Sequence, residues 1–299
     1  MRKLRRYSVW ILTLFSLIGS LAHSEVEYKP NGLVIMMTDF GTKDFYVGAM
    51  KGAIYKIFPQ AKIDDISHNI SPFDIKEGAY TLAKAAPEFP PGTVFVSVVD
   101  PGVGTARKPI ALKTKNGSYF VAPDNGLLTL VAQEMGVVEV REITNREVMR
   151  QGMQSSTFHG RDIFGPTAAN LAKGFPFEKV GPALKKYVQL PIQSAKVTEG
   201  EIMGQVDLID EYGNAITNIH PDLFVELGIQ LGQVIEVEFG NEQKIRCHYA
   251  KAYGDVSAGE LVGVFGSGGV FEVAINQGNL GDTLKLKASG NIIVRKIVK

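Results

Sequence analysis

The sequence predicts an α/β domain followed by an all-β barrel, and three observations carry that prediction. From Gly32 to about Lys186, apolar runs of strand length alternate with helical periodicity. From Glu201 onward, short strand candidates follow one another between Gly, Asn and Asp turns. A mixed segment over 185–201 separates the two textures. The implied units are a leader over 1–24, an N-terminal α/β domain with a central, mostly parallel sheet over 31–190, and a C-terminal β-barrel domain over 198–299.

Residues 33–37, Leu-Val-Ile-Met-Met, read as a buried strand that stops at Thr38-Asp39-Phe40-Gly41. Tyr46, Met50, Ala53, Ile54 and Ile57 then recur on one helical face, closed by Phe58-Pro59. A second helix is signalled by Ile75, Ala79, Leu82 and Ala83 before Pro87, and a second buried strand by residues 93–99. That strand ends at Asp100-Pro-Gly-Val-Gly104. Ligands of open α/β sheets lie beyond the carboxyl ends of strands, which puts Asp39 and Asp100 first among the candidates. A polar cluster, Thr157-Phe-His-Gly-Arg-Asp162, precedes an apolar helix over 163–171. In the second half, residues 201–209, 233–239, 243–249, 261–265, 271–275, 283–287 and 292–298 are the strand candidates, and Asp210-Glu-Tyr-Gly-Asn214 is a polar turn after the first of them.

Length and composition bound the function. The chain has 299 residues, 45% of them hydrophobic and 21% charged, enough for large cores and too apolar for disorder. With 32 Lys and Arg against 31 Asp and Glu there is no basic excess for binding nucleic acid. Cys247 stands alone, so no internal disulfide or multi-cysteine zinc site exists, and its setting reads as an ordinary strand residue.

The first residues have the layout of an export signal: a cationic start over 1–6, an apolar run over 7–22, and small residues at Ala22 and Ser24. Cleavage after Ser24 turns the formal net charge from +1 into −3 and removes Trp10, the sole tryptophan. The product is expected in the periplasm, with a membrane partner only if the run stays uncut as an anchor.

Several familiar motifs fail. Asp39-Phe40-Gly41 matches the metal-binding tripeptide of kinases but lacks the glycine-rich loop, lysine and catalytic loop that accompany it. Gly102-Val-Gly104 and Gly266-Ser-Gly-Gly269 lack the remainder of a dinucleotide or phosphate-loop fingerprint. His23, His68, His159, His220 and His248 show no zinc-hydrolase spacing, and His68, His220 and His248 read as structural histidines.

Taken jointly, six strings carry a resemblance. Thr38-Asp-Phe-Gly41, Asp65-Ile-Ser-His68, Val99-Asp-Pro-Gly-Val-Gly104, Ala122-Pro-Asp-Asn-Gly-Leu-Leu128, Phe158-His-Gly-Arg-Asp162 and Asp210-Glu-Tyr-Gly-Asn-Ala-Ile-Thr-Asn218 resemble, in order, the S-adenosylmethionine (SAM) hydroxide adenosyltransferase family, which is related to the fluorinases and chlorinases. The resemblance implies hydrolysis of SAM to adenosine and methionine by water attacking the ribose C5′, in a homotrimer whose sites lie between the N-terminal domain of one copy and the C-terminal domain of the next. It puts the catalytic triad on Asp100, Arg107 and His159. It implies that Asp39 holds the ribose hydroxyls with Asp44 and Tyr46 beside it, and that Phe73 stands where the fluorinases have a stacking Trp. It further implies that Asp210, Asn214 and Ser267 contact the methionine or adenine ends. Gly266-Ser-Gly-Gly269 lacks the arginine that follows this serine in the halogenating relatives.

The chemistry stands beside the name. A sulfonium is an activated cation with a neutral leaving group, so no metal or cofactor is expected. An in-line water is worth roughly 7 to 11 kcal/mol if held near attack geometry. Asp100 next to Arg107 stays ionised near neutrality and is a weak base, so its expected part is to accept a hydrogen bond from the water and stabilise developing charge. Arg107 is expected to fix that carboxylate bidentately, and His159 to orient the water or relay its proton. The rival is a halogenase, and here the charge matters: a halide about 4 Å from the carboxylate is repelled by roughly 4 kcal/mol at an effective dielectric near 20. The fluorinases carry Tyr at the position matching Asp100, so this departure favours water. The alternative from another class is an exported, non-catalytic SAM- or adenosine-binding protein.

Overall fold

The structure is a computed structural model and describes residues 28–240 and 242–297; the leader expected over 1–24 lies outside them. In chain order the first part contains β1 (Leu33–Thr38), α1 (Tyr46–Ile57), β2 (Lys62–Ser67), α2 (Ile75–Ala85), β3 (Val94–Val98), β4 (Pro109–Thr114), β5 (Tyr119–Pro123), α3 (Thr129–Met135), β6 (Val137–Glu142) and α4 (Gly165–Ala172). A π-helical turn, Gly160–Phe164, leads into α4. The sheet order is β2-β1-β3-β5-β4-β6, with β2, β1, β3 and β5 parallel and β4 antiparallel to both its neighbours.

Period-two alternation explains why β1 and β3 read as unbroken apolar runs. Val34 and Met36 face one core with Val94, Val96 and Val98, under Met50 and Ile54 of α1 and Ala168 of α4. Ile35 and Met37 face the opposite core with Phe95 and Phe120, under Leu82 of α2 and Val131 of α3. Both faces are dry, as expected for parallel strands covered on each side. The rings of Phe95 and Phe120 stack at 4.7 Å, and truncating Phe95 to Ala would cost about 3–5 kcal/mol. Helix α2 starts at an Asp74 N-cap whose carboxylate accepts from the Lys76 and Glu77 amides, both at 3.0 Å. Gly78 lets it approach the sheet: a Cβ there would stand 2.9 Å from Leu127 and 3.1 Å from Val99.

The connectivity creates a crevice. The chain leaves β1 through α1 to reach β2 on one side, then passes through α2 on the other face to reach β3 on the opposite side of β1. The carboxyl ends of β1 and β3 therefore flank a topological switch point.

The second part contains β7 (Lys196–Thr198), β8 (Glu201–Ile209), β9 (Ala215–Thr217), α5 (Pro221–Glu226), β10 (Val234–Phe239), β11 (Lys244–Tyr249), β12 (Leu261–Phe265), β13 (Phe271–Ile275), α6 (Leu280–Leu284) and β14 (Asn291–Lys296). Seven of these strands close a barrel in the order β14-β10-β11-β12-β13-β9-β8, with β14 pairing back onto β8 and β7 appended. The α/β-plus-barrel class expected from the sequence is the one observed.

One strand expectation is corrected. Residues 283–287 form no strand; α6 occupies Leu280–Leu284, with Asn279 Oδ1 capping the Asp282 amide at 2.7 Å. The alternating Leu284 and Leu286 that suggested a strand instead pack against the barrel core from this helix and its exit. The two parts touch where α2 meets the barrel: Lys84 Nζ donates to the Gly268 carbonyl at 3.1 Å and Lys76 Nζ to Ser289 Oγ at 3.4 Å. Asp207 of β8 lies at this junction, where burial pushes its carboxyl up to about 6 despite Lys84, Lys76 and His220.

Candidate active site

Two turns hang from neighbouring parallel strands. After β1, the Asp39 amide donates to the Val98 carbonyl of β3 at 3.4 Å, and the Gly41 amide donates to the His68 carbonyl at 2.7 Å. Asp39 Oδ2 accepts the Phe73 amide at 2.9 Å. That bond holds Phe73 at a φ of 68°, in the left-handed region that costs a side chain on the order of 1–3 kcal/mol, while its ring is 69% exposed. The ring is thus left out of the core.

After β3, residues 100–107 fold into a tight loop in which the Val103 amide donates to the Asp100 carbonyl and the Thr105 amide to the Gly102 carbonyl. Gly104, with a φ of 78°, lies against the segment before His159; a Cβ there would sit 2.8 Å from the Ser156 carbonyl oxygen. This close approach delivers Arg107. Its Nε donates to both Asp100 oxygens at 3.0 and 3.1 Å, and its Nη2 donates to Asp100 Oδ2 and lies 2.7 Å from His159 Nδ1. The Arg107 and Asp100 side chains are only 8% and 5% exposed, so this is a desolvated, charge-assisted pair rather than a screened surface one. Phe164 covers the guanidinium at 5.1 Å, and Arg107 Nη1 is sealed from solvent without a hydrogen-bond partner.

The contact with His159 fixes a protonation state. A guanidinium has only donors, so the imidazole nitrogen facing it must offer a lone pair, which leaves the ring neutral with its hydrogen on Nε2. Burial and then the Arg107 charge push the His159 titration below its ordinary 6.5, against the opposing pull of Asp100 and Asp162.

His159 is placed by the π-helical turn that follows it, a device frequent at functional sites. Asp162, on that turn, is fully buried and accepts from Arg161 Nε at 2.7 Å, Arg161 Nη2 at 2.8 Å, Arg150 Nη1 at 3.0 Å and the Ser155 amide at 2.7 Å. Burial opposes its ionisation, but these donors prevail and hold the carboxyl at about 2. Its carbonyl accepts the Arg150 amide at 2.8 Å, so residues 150–155 are stapled to the turn. Beside His159, Phe158 meets Phe40 and Tyr46 edge to face at 6.1 and 5.3 Å, which ties this segment to the turn after β1.

The structure thus brings Asp100, Arg107 and His159 into direct contact and sets Asp39, Tyr46 and Phe73 around the same strand ends. Asp44 is exposed on the connecting loop. The remaining three candidates lie on the barrel. Asp210 Oδ1 accepts the Tyr212 and Asn214 amides at 3.0 and 2.8 Å, and its Oδ2 accepts Asn214 Nδ2 at 3.0 Å, so this pair organises its own turn. Ser267 is exposed in a turn closed by the Gly266 amide and the Val270 carbonyl. Among the described residues, no hydrogen bond, ion pair or ring contact joins these three to the Asp100 group.

A cavity of about 690 Å³ lined by Ala49, Ala53, Lys56, Arg150 and Arg161 is bordered by the π-helical turn and contains none of the sequence candidates. Cys247 is buried, its thiol pushed up to about 12 by burial, which makes it inert at neutral pH. The sequence reading assigned no part to Asp162 or to Thr38, Asp65 and His68 as a group. The signal was present, since each lies inside a motif already singled out; what was missing was the knowledge that the side chains of Asp162, Thr38 and His68 turn inward.

Comparison with known proteins adds the following. Residues 34–181 match the model of the SAM hydroxide adenosyltransferase N-terminal domain, and residues 204–293 that of the corresponding C-terminal domain. An (R)-S-adenosyl-L-methionine hydrolase of Methanocaldococcus jannaschii is 39% identical, covering 74% of this chain and 80% of its own. A protein of the same description from Salinispora tropica is 37% identical, covering 85% and 94%. Fluorinases, among them one from Nocardia brasiliensis at 30% identity, are more distant. A crystal structure of an uncharacterised conserved protein from Thermotoga maritima superposes with a TM-score of 0.84 at 44% identity, covering 88% of this chain and all of that one.

Proposed function

The chain belongs to the SAM hydroxide adenosyltransferase family, and on that basis we propose that it is an adenosine-forming hydrolase of S-adenosyl-L-methionine in which an oriented water attacks the ribose C5′ in line with the departing sulfur. The observation that supports the mechanism is the guanidinium of Arg107 clamped on Asp100 while touching His159. In the proposed step, water oxygen forms the new bond to C5′, the C5′–S bond breaks with its electron pair on the methionine sulfur, and late in the reaction one proton of the attacking water passes to the Asp100 carboxylate and from there to solvent, leaving the 5′-hydroxyl of adenosine. Asp100 accepts a hydrogen bond from that water and stabilises the positive charge it develops. His159, neutral and carrying its hydrogen on Nε2, orients the water rather than serving as the first base. Asp39 holds the ribose hydroxyls, Phe73 stacks, and no metal or cofactor is needed, because the sulfonium departs as a neutral thioether.

In this reading the methionine or adenine contacts expected of Asp210, Asn214 and Ser267 come from a second copy. We place them across the interface of a homotrimer, each site pairing the strand-end group of one copy with the barrel turns of the next. Export by the leader is part of the same proposal and implies a supply of substrate outside the cytoplasm.

Chloride is the competing nucleophile. The Asp100 carboxylate disfavours it, and Arg107, which would attract it, already has Nε and Nη2 committed and Nη1 sealed from solvent. The deciding experiment incubates the purified chain with SAM, with and without chloride, and separates adenosine from 5′-chloro-5′-deoxyadenosine. Adenosine alone supports the hydrolase. A chlorinated nucleoside favours the halogenase, and binding of SAM with no product favours a binding protein.

A further inference from the structure

The strings Thr38-Asp39 and Asp65-Ile-Ser-His68 contain three side chains that the proposed chemistry leaves idle, and they form one line, buried at Thr38 and His68 and partly exposed at Asp65. Lys51 Nζ of α1 lies 2.5 Å from Asp65 Oδ2. Asp65 Oδ1 lies 3.1 Å from His68 Nε2, close enough for attraction although off the line of a hydrogen bond. His68 Nδ1 stands 2.8 Å from Thr38 Oγ1, which in turn accepts the Phe40 amide at 3.2 Å. Thr38 is fully buried and His68 is 5% exposed.

The Phe40 amide occupies one lone pair of Thr38 Oγ1, which leaves a hydrogen to give and a second lone pair to accept, so Thr38 and His68 Nδ1 are paired in either tautomer while Nε2 faces the Asp65 carboxylate. Carboxylate, imidazole and hydroxyl in this order have the composition of a nucleophilic triad. Here that reading fails: the hydroxyl has no solvent face and its oxygen is capped by an amide, so no substrate reaches it. What the line does touch is the turn bearing Asp39. Thr38 precedes Asp39, the Phe40 amide follows it, and the Gly41 amide donates to the His68 carbonyl. Both flanks of Asp39 are thus tied to His68. Of the Asp39 carboxylate, Oδ2 is engaged by the Phe73 amide, and Oδ1 accepts no hydrogen bond among the described residues.

We propose that His68, aligned by Asp65 and Lys51, is a positioning residue that sets the aim of the free Asp39 oxygen and thereby the preference of the site for ribose over 2′-deoxyribose. This rests on the reading of Asp39 as the residue that holds the sugar hydroxyls. A residue that merely fills the core would weaken every nucleoside alike; a residue that aims one acceptor discriminates by the hydroxyl that acceptor meets.

The test is calorimetric titration of adenosine and 2′-deoxyadenosine into the full chain, which needs no turnover. Wild type should prefer adenosine. His68→Gln and the milder Asp65→Asn should each lose about tenfold in adenosine affinity, the size of one charge-assisted hydrogen bond, with 2′-deoxyadenosine unchanged. His68→Gln should add nothing to Asp39→Asn. Equal weakening of both nucleosides in Asp65→Asn, whose side chain is partly exposed and whose fold is checked by circular dichroism, overturns the proposal, as does full additivity with Asp39→Asn. A wild type that binds the two nucleosides equally overturns both this inference and the sugar-binding reading of Asp39. A wild type that prefers adenosine yet leaves SAM intact overturns the hydrolase while the positioning role stands.

Discussion

Arg107 Nη2 and His159 Nδ1 stand 2.7 Å apart, a contact between two nitrogens that survives only while the imidazole supplies a lone pair. Protonating His159 would set two cations against each other in a desolvated site, and the clamp on Asp100 would loosen with it.

The acid limb of turnover is the first consequence. Because burial and Arg107 lower the His159 titration from 6.5, kcat should hold as pH falls to that value and decline only below it. His159→Asn, which keeps a donor and an acceptor but cannot titrate, should retain part of the rate and lose this limb. A pH profile of both chains decides; an unchanged limb in the variant would assign it to another group.

Asp100→Asn removes the charge facing the proposed water but keeps an acceptor for Arg107. Turnover should fall by about 100-fold or more with SAM still bound, read by single-turnover kinetics beside calorimetry. The buried guanidinium left without a counter-charge should also lower stability, toward the roughly 3 kcal/mol typical of a broken buried pair. By contrast, Asp44→Asn, at an exposed position, should act on KM rather than on folding.

The proposed sharing of sites between copies predicts complementation. Asp100→Asn and Asn214→Ala chains, each inactive alone, should regain roughly a quarter of wild-type activity after mixed refolding, because random assembly pairs an intact strand-end group with an intact barrel turn at that frequency. Sedimentation should give three chains per particle. No recovery from well-assembled mixed trimers would place both groups of residues in the same copy.

Asp162 and Asp207 predict opposite pH dependences of stability. Asp162 is held at about 2 against an ordinary 3.8, so its contribution, on the order of 2 kcal/mol, is present above the ordinary value and lost as pH falls toward 2. Asp207 is raised to about 6, so its contribution is full below 3.8 and lost as pH rises through 6. Asp207→Asn should therefore match wild type near pH 4 and exceed it by about 1–2 kcal/mol at neutrality. Thermal melts across this range check both signs.

The architecture was legible wherever both faces of a strand are buried. β1 and β3 announced themselves as continuous apolar runs ending in polar turns, and α1 and α2 by their single apolar faces. β2 did not: as an edge strand it carries Lys62 and Asp64 toward solvent, so its pattern lacks an apolar stripe. Residues 283–287 misled because two leucines spaced by two also fit a helix and its exit packed on a core. Asp39 and Asp100 were legible as strand-end residues, whereas Arg107 and His159, 52 positions apart, were joined only by resemblance until the loops were seen in contact. The inward turn of Asp162 was illegible, since Arg-Asp before a helix reads as a solvated cap and the π-helical turn that rotates it has no sequence signature.

Asp39 and Asp100 are suspended from adjacent rungs of one hydrogen-bonded ladder, so the gap between them is metered by backbone spacing rather than by loop length. Insertions at the tip of the 100–107 loop should leave that gauge intact. A single residue added within β1 or β3 would instead flip every later side chain of the strand to the wrong face, disarming the centre while the loop sequence stayed unaltered.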